Sequence, residues 1–228
     1  MRPRDLNRFL EDMGWPTSPV IQPGAFQAPA AKSAVADQGT SSEDPLAALA
    51  LSAADCQLCR LSEKRQKVVF GEGDPHTVVM FIGEGPGAEE DRTGRPFVGQ
   101  AGQLLERMLF AIGLRRDQVY ITNIVKCRPP GNRDPKDDEV AACSPYLDQQ
   151  IELIAPRVLV ALGKPASHRL LGTSKPIGAL RGRWASYKGI PLMPLFHPAY
   201  MLRTPSAKRE AWADLKMIRQ RLESTDSG

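Results

Sequence analysis

The sequence predicts an α/β protein whose mostly parallel sheet is covered by helices on both faces. From residue 68 onward, short apolar segments alternate with segments of helical periodicity. Four of the apolar segments have the length and composition of buried strands. The chain has 228 residues, of which 42% are hydrophobic and 25% charged. These values are close to globular averages, so the chain is long enough to bury a core of ordinary size.

The four predicted strands are marked by different features. A glycine closes the first, and β-branched residues dominate the second. Pro191 and Pro194 lie in the fourth, which is predicted to be an edge strand or an irregular one, because proline cannot donate a backbone hydrogen bond. The predicted strands are Val78–Gly83, Val119–Val125, Val158–Leu162 and Ile190–Phe196.

Apolar residues at helical spacing predict the helices of the same domain. A helical segment at 45–60 opens the domain. Gln100–Gly113 has one apolar face and a glycine as its stop. Pro156 ends the helix predicted over Val140–Ile154, and a last helix covers Ala211–Leu222.

Residues 1–45 differ in composition from the globular domain predicted at 46–228. Residues 3–14 have apolar side chains at helical spacing and predict a short amphipathic helix. Of the 30 residues at 16–45, 19 are Pro, Gly, Ala, Ser or Thr, which predicts a flexible linker. The short helix either packs on the domain, the interpretation that we favour, or binds a protein partner.

Charge and hydropathy narrow the classes of function. The net charge is +4, with −2 on the first 50 residues and +6 on the rest, which suits a polyanionic partner. No apolar run approaches the roughly 18 residues that span a bilayer, and the N-terminus lacks the pattern of a secretory signal. We therefore expect a soluble, cytoplasmic protein without a membrane segment, and a monomer.

Glycine-rich and polar residues follow three of the predicted strands. Gly83–Gly87 follows the first strand, Asn123 ends the second, and His197 follows the fourth. Ligands of parallel α/β sheets bind beyond the carboxyl ends of the strands. The sequence therefore predicts a ligand site where these three features meet.

Four cysteines form a candidate metal centre. Cys56 and Cys59 make a C-x-x-C pair, while Cys127 and Cys143 lie 68 and 84 residues beyond it. One close pair with two dispersed thiols favours a four-cysteine iron–sulfur cluster, because structural zinc sites more often combine two close pairs. Zinc stays open at this point, as does a core position for Cys143 with a loop thiol at Cys127.

The glycine segment fits a dinucleotide site poorly. Its spacing is G-x-G-x-G, and Pro86 removes a backbone donor from the loop. Asn123 stands where an acidic residue would bind a ribose, and the acidic run at 89–91 would repel a pyrophosphate. These residues disfavour an enzyme that uses a nucleotide cofactor.

Four segments in chain order, together with the cysteines, resemble the family 4 uracil-DNA glycosylases, which are the iron–sulfur members of their superfamily. The resemblance extends from about Cys56 to Arg203 and does not reach residues 1–50. It implies an α/β/α sandwich around a four-stranded parallel sheet. It also implies a [4Fe–4S] cluster on all four cysteines and removal of uracil from DNA without a lyase step, as in base excision repair. The segments are EGPG at 84–87, TGRPFVG at 93–99, TNIVKCRPP at 122–130 and HPAYMLR at 197–203.

The resemblance implies a role for each residue of a uracil pocket. Phe97 stacks on the base. The Asn123 side chain accepts a hydrogen bond from uracil N3–H and donates one to O4, a pattern that cytosine reverses. His197 donates a hydrogen bond to the charge that develops on uracil O2.

Two glutamates receive roles by comparison with family 1 enzymes. Glu84 acts on the sugar side, either as the general base for water or as a stabiliser of the cation. Family 1 enzymes have an aspartate one position later, where this chain has Gly85, so loop backbone groups are an alternative to Glu84. Family 1 enzymes exclude thymine with a tyrosine at the position of Gly87, and we assign that role here to Glu90.

Uracil-containing DNA is the partner that the resemblance implies. Arg128, Arg133 and Arg203 are candidates for binding its phosphates. Met201 lies where a wedge residue would enter the duplex and replace the flipped base. The competing hypothesis is a non-catalytic or redox iron–sulfur protein that binds nucleic acid.

Overall fold

The computed structural model describes residues 44–225 of the chain. The predicted N-terminal helix and nearly all of the predicted linker lie outside the described residues, so the division at residue 45 stays a prediction. Between residues 44 and 225, no helix combines the length and the apolar character that crossing a membrane requires.

One mixed sheet crosses the described part of the chain. Its strands are β1 (Glu72–Gly73), β2 (Val79–Gly83), β3 (Tyr120–Asn123), β4 (Val158–Leu162), β5 (Ala185–Tyr187) and β6 (Ile190–Leu195). In space the order is β1-β3-β2-β4-β6-β5. The four central strands run parallel, and the short edge strands β1 and β5 pair antiparallel with β3 and β6.

The four predicted strands are confirmed as the parallel centre of the sheet, and the two edge strands were not predicted. Each edge strand has at most three residues and lacks a buried apolar run. The fourth predicted strand is β6, which is covered by β5 and does not lie at the edge. The carbonyl of Pro194 accepts a hydrogen bond from the Gly182 N–H, on the side away from β4. The Pro194 nitrogen faces the same way, beyond the last residue paired with β5, so its missing N–H breaks no strand pair.

Eight α-helices accompany the sheet within the described residues. The predicted helices at 100–113, 140–154 and 211–222 are confirmed, with boundaries that differ by a few residues. The helices are α1 (Pro45–Ala54), α2 (Ala88–Thr93), α3 (Gln100–Ala111), α4 (Asp137–Ile154), α5 (Lys164–Leu171), α6 (Ile177–Leu180), α7 (Pro198–Arg203) and α8 (Ala207–Thr225).

Side chains of the central strands alternate between two cores. In β2, Val79 and Phe81 pack with α3 and α8 on one face, while Met80 and Ile82 pack with α4 and α5 on the other. All four side chains are completely buried. The alternation follows from the two-residue period of a strand. It gives the three-layer α/β/α architecture that the resemblance implies, and it leaves the carboxyl ends of the parallel strands free to carry loops.

Candidate active site

The loops at the carboxyl ends of the parallel strands enclose a cavity of about 410 Å³. The segment after β2, the last residue of β3 and the residue that follows β6 all line it. The predicted convergence of Glu84, Asn123 and His197 on one site is therefore confirmed. Most of the predicted site residues line this cavity, namely Glu84, Gly85, Glu90, Phe97, Asn123, Arg133, His197 and Arg203.

Asn123 lies at the floor of the cavity. Its side chain is 1% exposed, and its Oδ1 has no hydrogen-bond partner among the described residues. Gly83 pairs with Asn123 across the parallel strands. A Cβ atom at Gly83 would collide with Asn123 Oδ1 and lie 2.5 Å from Phe97 Cζ. The glycine therefore opens the space in which a buried acceptor and an aromatic ring meet.

Phe97 forms an aromatic wall. It is buried, and its ring centroid lies 5.7 Å from that of His197, with the ring planes tilted by 32°. Its backbone has a φ of +50°, a conformation that bulky side chains rarely adopt. The position of this ring therefore depends on contacts that hold the backbone in place.

His197 presents a hydrogen-bond donor whose tautomer the backbone determines. The residue precedes α7, and its Nδ1 accepts a hydrogen bond from the Ala199 N–H at 3.1 Å. Burial lowers the pKa of His197 to about 4, with the charge of Arg203 adding to the effect and that of Glu90 opposing it. The ring is therefore neutral above about pH 5, and because Nδ1 is an acceptor, the proton resides on Nε2.

Gly163, directly after β4, allows His197 its place. Its φ is +89°, and a Cβ atom there would lie 2.8 Å from His197 Cβ. Its N–H donates to the Leu195 carbonyl at 2.8 Å, which ties the end of β4 to the end of β6. A residue with a side chain would strain the loop and displace the histidine.

Glu84 is a carboxylate with an unusual acidity. Burial and the neighbouring Asp134 raise the pKa of Glu84 to about 7. Both side chains line the cavity. Because like charges oppose the ionisation of either group, Glu84 can take up or release a proton near neutral pH.

The Glu90 carboxylate joins two loops. It accepts hydrogen bonds from the N–H groups of Gly87 at 3.1 Å, Val98 at 2.8 Å and Gly99 at 2.9 Å. A Cβ atom on Gly87 would lie 2.7 Å from Glu90 Oε2, so Glu90 fills the space beside that glycine. The structure thus gives Glu90 a loop-organising contact that the sequence did not indicate.

The three predicted phosphate-binding arginines differ in their surroundings. Arg203 is exposed at the mouth of the cavity. Arg133 also lines the cavity, but its guanidinium forms a bidentate ion pair with the buried Glu139, at 2.6 and 2.8 Å. Arg128 is not among the lining residues, and its Nε donates to Asn132 Oδ1 at 2.8 Å.

The interpretation of Met201 as a wedge is wrong for this structure. Its side chain is completely buried in the core between α7 and the sheet. The neighbouring Tyr200 and Leu202 are 40% and 43% exposed. The helical period explains the correction, because it turns position 201 of α7 inward and positions 200 and 202 outward. Tyr200 also lines the cavity.

A second cavity is lined by all four cysteines. Cys127 and Cys143 are buried, and Cys56 and Cys59 are half-buried. The Arg65 guanidinium donates to Cys127 Sγ and the Lys126 N–H to Cys143 Sγ, each at 3.3 Å.

Donors aimed at two of these sulfurs suit thiolates that ligate a metal centre. Among residues 44–225, no three Cys, His, Asp or Glu side chains gather tightly enough to hold one metal ion. The four thiols line one cavity, so they fit a centre that is ligated by four cysteines.

Two residues of the site escaped the sequence analysis. Asp134 lies in a loop far from any strand end, and no local pattern marks it. Gly163 directly follows the third predicted strand, so the same rule that identified the other rim residues also points to it.

The comparisons with known proteins agree with this geometry. The sequence model of the uracil DNA glycosylase superfamily matches residues 70–216. A type-4 uracil-DNA glycosylase of Sulfurisphaera tokodaii is 46% identical over 174 residues, which cover 72% of this chain and 79% of that protein. A type-4 enzyme of Thermotoga maritima is 50% identical over 155 residues, covering 66% and 80%. A third, of Saccharolobus solfataricus, is 43% identical over 178 residues, covering 74% and 82%. The chain therefore belongs to the uracil DNA glycosylase superfamily, and within it to the type-4 family.

Proposed function

We propose that this protein is a monofunctional uracil-DNA glycosylase of base excision repair. It flips uracil out of DNA and hydrolyses the N-glycosidic bond, which leaves an abasic site. The observation that carries the proposal is the buried, unpartnered Oδ1 of Asn123 in a cavity that also presents an aromatic ring and a neutral histidine.

Asn123 selects the base. A buried acceptor without a partner costs about 1–3 kcal/mol, and a ligand N–H recovers that energy. Uracil N3–H is such a donor, and the amide NH2 group of Asn123 can donate to uracil O4. Cytosine has an acceptor at N3 and a donor at position 4. The acceptor Oδ1 of Asn123 would then face another acceptor, and its NH2 group would face another donor.

Phe97 and Glu90 shape the rest of the pocket. The Phe97 ring offers a stacking surface for the flipped base. Glu90 occupies the space beside Gly87, where family 1 enzymes carry a tyrosine, and leaves no room for the methyl group at C5 of thymine.

His197 stabilises the leaving group. When the bond between C1′ and N1 breaks, its electron pair remains with the base, and negative charge collects on O2. The Nε2–H of neutral His197 donates a hydrogen bond to that oxygen in a partly dehydrated site. A neutral donor keeps its proton, so the base departs as an anion and takes its proton later from water.

Glu84 acts on the sugar. In its ionised form it accepts a proton from a water molecule, whose oxygen bonds to C1′ of the oxocarbenium-like sugar. The raised pKa makes Glu84 a stronger base than an ordinary carboxylate. No lysine lines the cavity in the described part of the chain, which supports hydrolysis without a Schiff-base intermediate.

DNA binds across the mouth of the cavity. Arg203 contacts a phosphate, and Arg128 and Arg133 bring further positive charge to the Pro-rich loop beside the site. The exposed side chains of Tyr200 and Leu202 stand in the place that we expected for Met201. Of these, Leu202 is the side chain that enters the stack when the uracil leaves.

Cys56, Cys59, Cys127 and Cys143 would hold a [4Fe–4S] cluster in the cysteine cavity. When bound, the cluster would join the segment that follows α1, the loop that follows β3 and helix α4. Arg65 and the Lys126 N–H orient two of the ligands. Cysteines that ligate a cluster must not be oxidised to disulfides, so we propose that the protein acts in the reducing cytoplasm. We also propose that it is a monomer.

Base release from oligonucleotides tests the proposal. The cluster-loaded full-length protein is incubated with DNA that carries uracil, thymine, hypoxanthine or cytosine at one position, and alkali-labile sites are counted. We expect release of uracil and not of thymine or cytosine. Cluster absorbance and DNA binding without release of any base would support the non-catalytic alternative and reject an enzyme.

A further inference from the structure

We infer that Arg116 is a positioning residue for the base: it locks the backbone of Phe97 so that the ring faces the cavity, and Glu72 holds Arg116 in place. The inference rests on the proposed function, because it requires Phe97 to stack on a flipped base. Neither Arg116 nor Glu72 lines the cavity, so both act through the residues that they hold.

Phe97 needs such support because its backbone is strained. A non-glycine residue in the left-handed region is strained and persists only where its surroundings enforce it. Phe97 follows Pro96 in the segment 94–99 between α2 and α3, which we call the strap. The strap pairs with no strand of the described sheet. Without external contacts, the ring would leave its position beside His197.

The guanidinium of Arg116 binds two carbonyls of the strap. Arg116 begins the 3₁₀ turn at Arg116–Gln118, immediately before β3. Its Nη1 donates to the Phe97 carbonyl at 2.9 Å, and its Nη2 donates to the Pro96 carbonyl. The side chain is only 15% exposed. Two consecutive carbonyls held by one planar group determine the peptide orientation on both sides of the Phe97 Cα atom.

Glu72 of β1 orients this guanidinium from the other side. Its Oε1 accepts from Arg116 Nε at 2.7 Å. The same carboxylate accepts from Arg95 Nε at 2.7 Å and from Arg95 Nη2 at 2.8 Å. Hydrogen bonds and charge from the two arginines lower the pKa of Glu72 against the opposing effect of burial, which is the largest single influence. The strap is thus tied at Arg95 and again at Pro96 and Phe97.

Helix α3 contacts the strap at the Phe97 carbonyl as well. A Cβ atom at Gly102 would collide with the carbonyl oxygen of Phe97. The strap therefore lies directly against α3, while Arg116 holds the same carbonyl. The Phe97 carbonyl is therefore held from two sides, by Arg116 and by α3.

A double-mutant cycle separates positioning from general stability. The variants are Arg116→Lys, Phe97→Ala and the pair, assayed for kcat/KM on uracil-containing DNA with the cluster loaded. Lysine keeps a positive charge beside Glu72 but cannot serve both carbonyls and the carboxylate together. Arg115→Lys is the matched control, because Arg115 is exposed and, within residues 44–225, forms its ion pair with Asp117 in its own turn.

We expect Arg116→Lys to lower kcat/KM about tenfold in the wild-type background and less than about twofold in the Phe97→Ala background. Glu72→Gln should show the same dependence on Phe97, and it replaces Arg116→Lys if that variant does not fold. Equal losses in the two backgrounds would overturn the inference and leave the proposed function intact. An inactive wild-type protein would instead reject the proposed function.

Discussion

The segment 123–127 connects two cavities. Asn123 lines the cavity at the carboxyl ends of the strands, and Cys127, four residues later, lines the cysteine cavity. In the first, the key acceptor has no protein partner. In the second, backbone and guanidinium donors already reach two of the sulfurs. A site for a transient ligand keeps its polar groups free, whereas a site for a permanent group surrounds its ligands with partners.

Lys126 lies between Asn123 and Cys127 in the chain and lines the cysteine cavity. It is buried, and its ammonium donates to Thr122 Oγ1 at 2.6 Å, to the Asn123 carbonyl at 2.8 Å and to Gln150 Oε1 at 2.5 Å. These bonds secure the main chain at Asn123, while the Lys126 N–H secures Cys143. One residue thus stabilises the walls of both cavities.

The largest expected loss of activity comes from a substitution in the cavity at the carboxyl ends of the strands. His197→Ala should reduce uracil release about 10²–10³-fold, because it removes the donor that meets the developing charge. Cluster absorbance should remain at the wild-type level, which is measured on the same sample. Loss of absorbance together with activity would mean that the two cavities are not independent.

A side chain that fills the space between Asn123 and Phe97 should also reduce uracil release. Gly83→Ala places a methyl group against Asn123 Oδ1 and the Phe97 ring, so we expect at least about a tenfold loss of uracil release. Gly178→Ala is the control, since a Cβ atom there meets no atom within 4 Å and the residue, in α6, does not have a positive φ. Unchanged activity in Gly83→Ala would contradict the placement of the base.

Disrupting the cysteine cavity should act mainly on stability. Cys127→Ala removes one proposed ligand of the cluster and a buried contact of Arg65. We expect a lower melting temperature with loss of the visible absorbance. Activity should fall in proportion to the folded fraction that remains at the assay temperature. Full absorbance in this variant would show that Cys127 is not a ligand.

The pH dependence of uracil release tests the proposed roles of Glu84 and His197. Glu84 acts when ionised, so the rate should fall about tenfold per pH unit below a pKa of about 7. Asp134→Asn removes a negative charge that raises this pKa, so the acid limb of the profile should move to lower pH. His197 titrates near pH 4 and should leave no inflection between pH 5 and 8. An acid limb that Asp134→Asn does not move would argue against the pairing of the two carboxylates.

The smallest effects distinguish neighbouring positions on α7. Leu202→Ala should lower activity on double-stranded DNA a few-fold and have little effect on single-stranded DNA or on stability. Met201→Ala should reduce the free energy of unfolding by about 2–5 kcal/mol, because it opens a hole in the core. Thermal denaturation and duplex assays of both variants test the correction. The reverse pattern would restore Met201 as the wedge.

The sequence predicted the regular centre of the molecule well. Four buried strands of hydrophobic composition can be recognised locally, and the rule for parallel sheets then brings Glu84, Asn123 and His197 together. The edge strands escaped because two or three half-exposed residues carry no periodic signal. Glu72 in β1 therefore also escaped, and with it the support of Phe97.

Side-chain direction was predicted less well than position. Met201 and Leu202 are adjacent in a motif, and only the packing of α7 decides which one is buried. The engagement of Arg133 by Glu139 and of Glu90 by three backbone N–H groups likewise depends on how the intervening turns fold, although all of these partners lie close in sequence. A motif identifies such residues without indicating which of their atoms remain free.

The most direct test of the central claim is a structure of the cluster-loaded protein bound to uracil. The account predicts uracil stacked on Phe97, with N3 about 2.7–3.2 Å from Asn123 Oδ1 and O2 within hydrogen-bond distance of His197 Nε2. Uracil bound elsewhere, or bound in this cavity with Asn123 Oδ1 still lacking a donor, would contradict it.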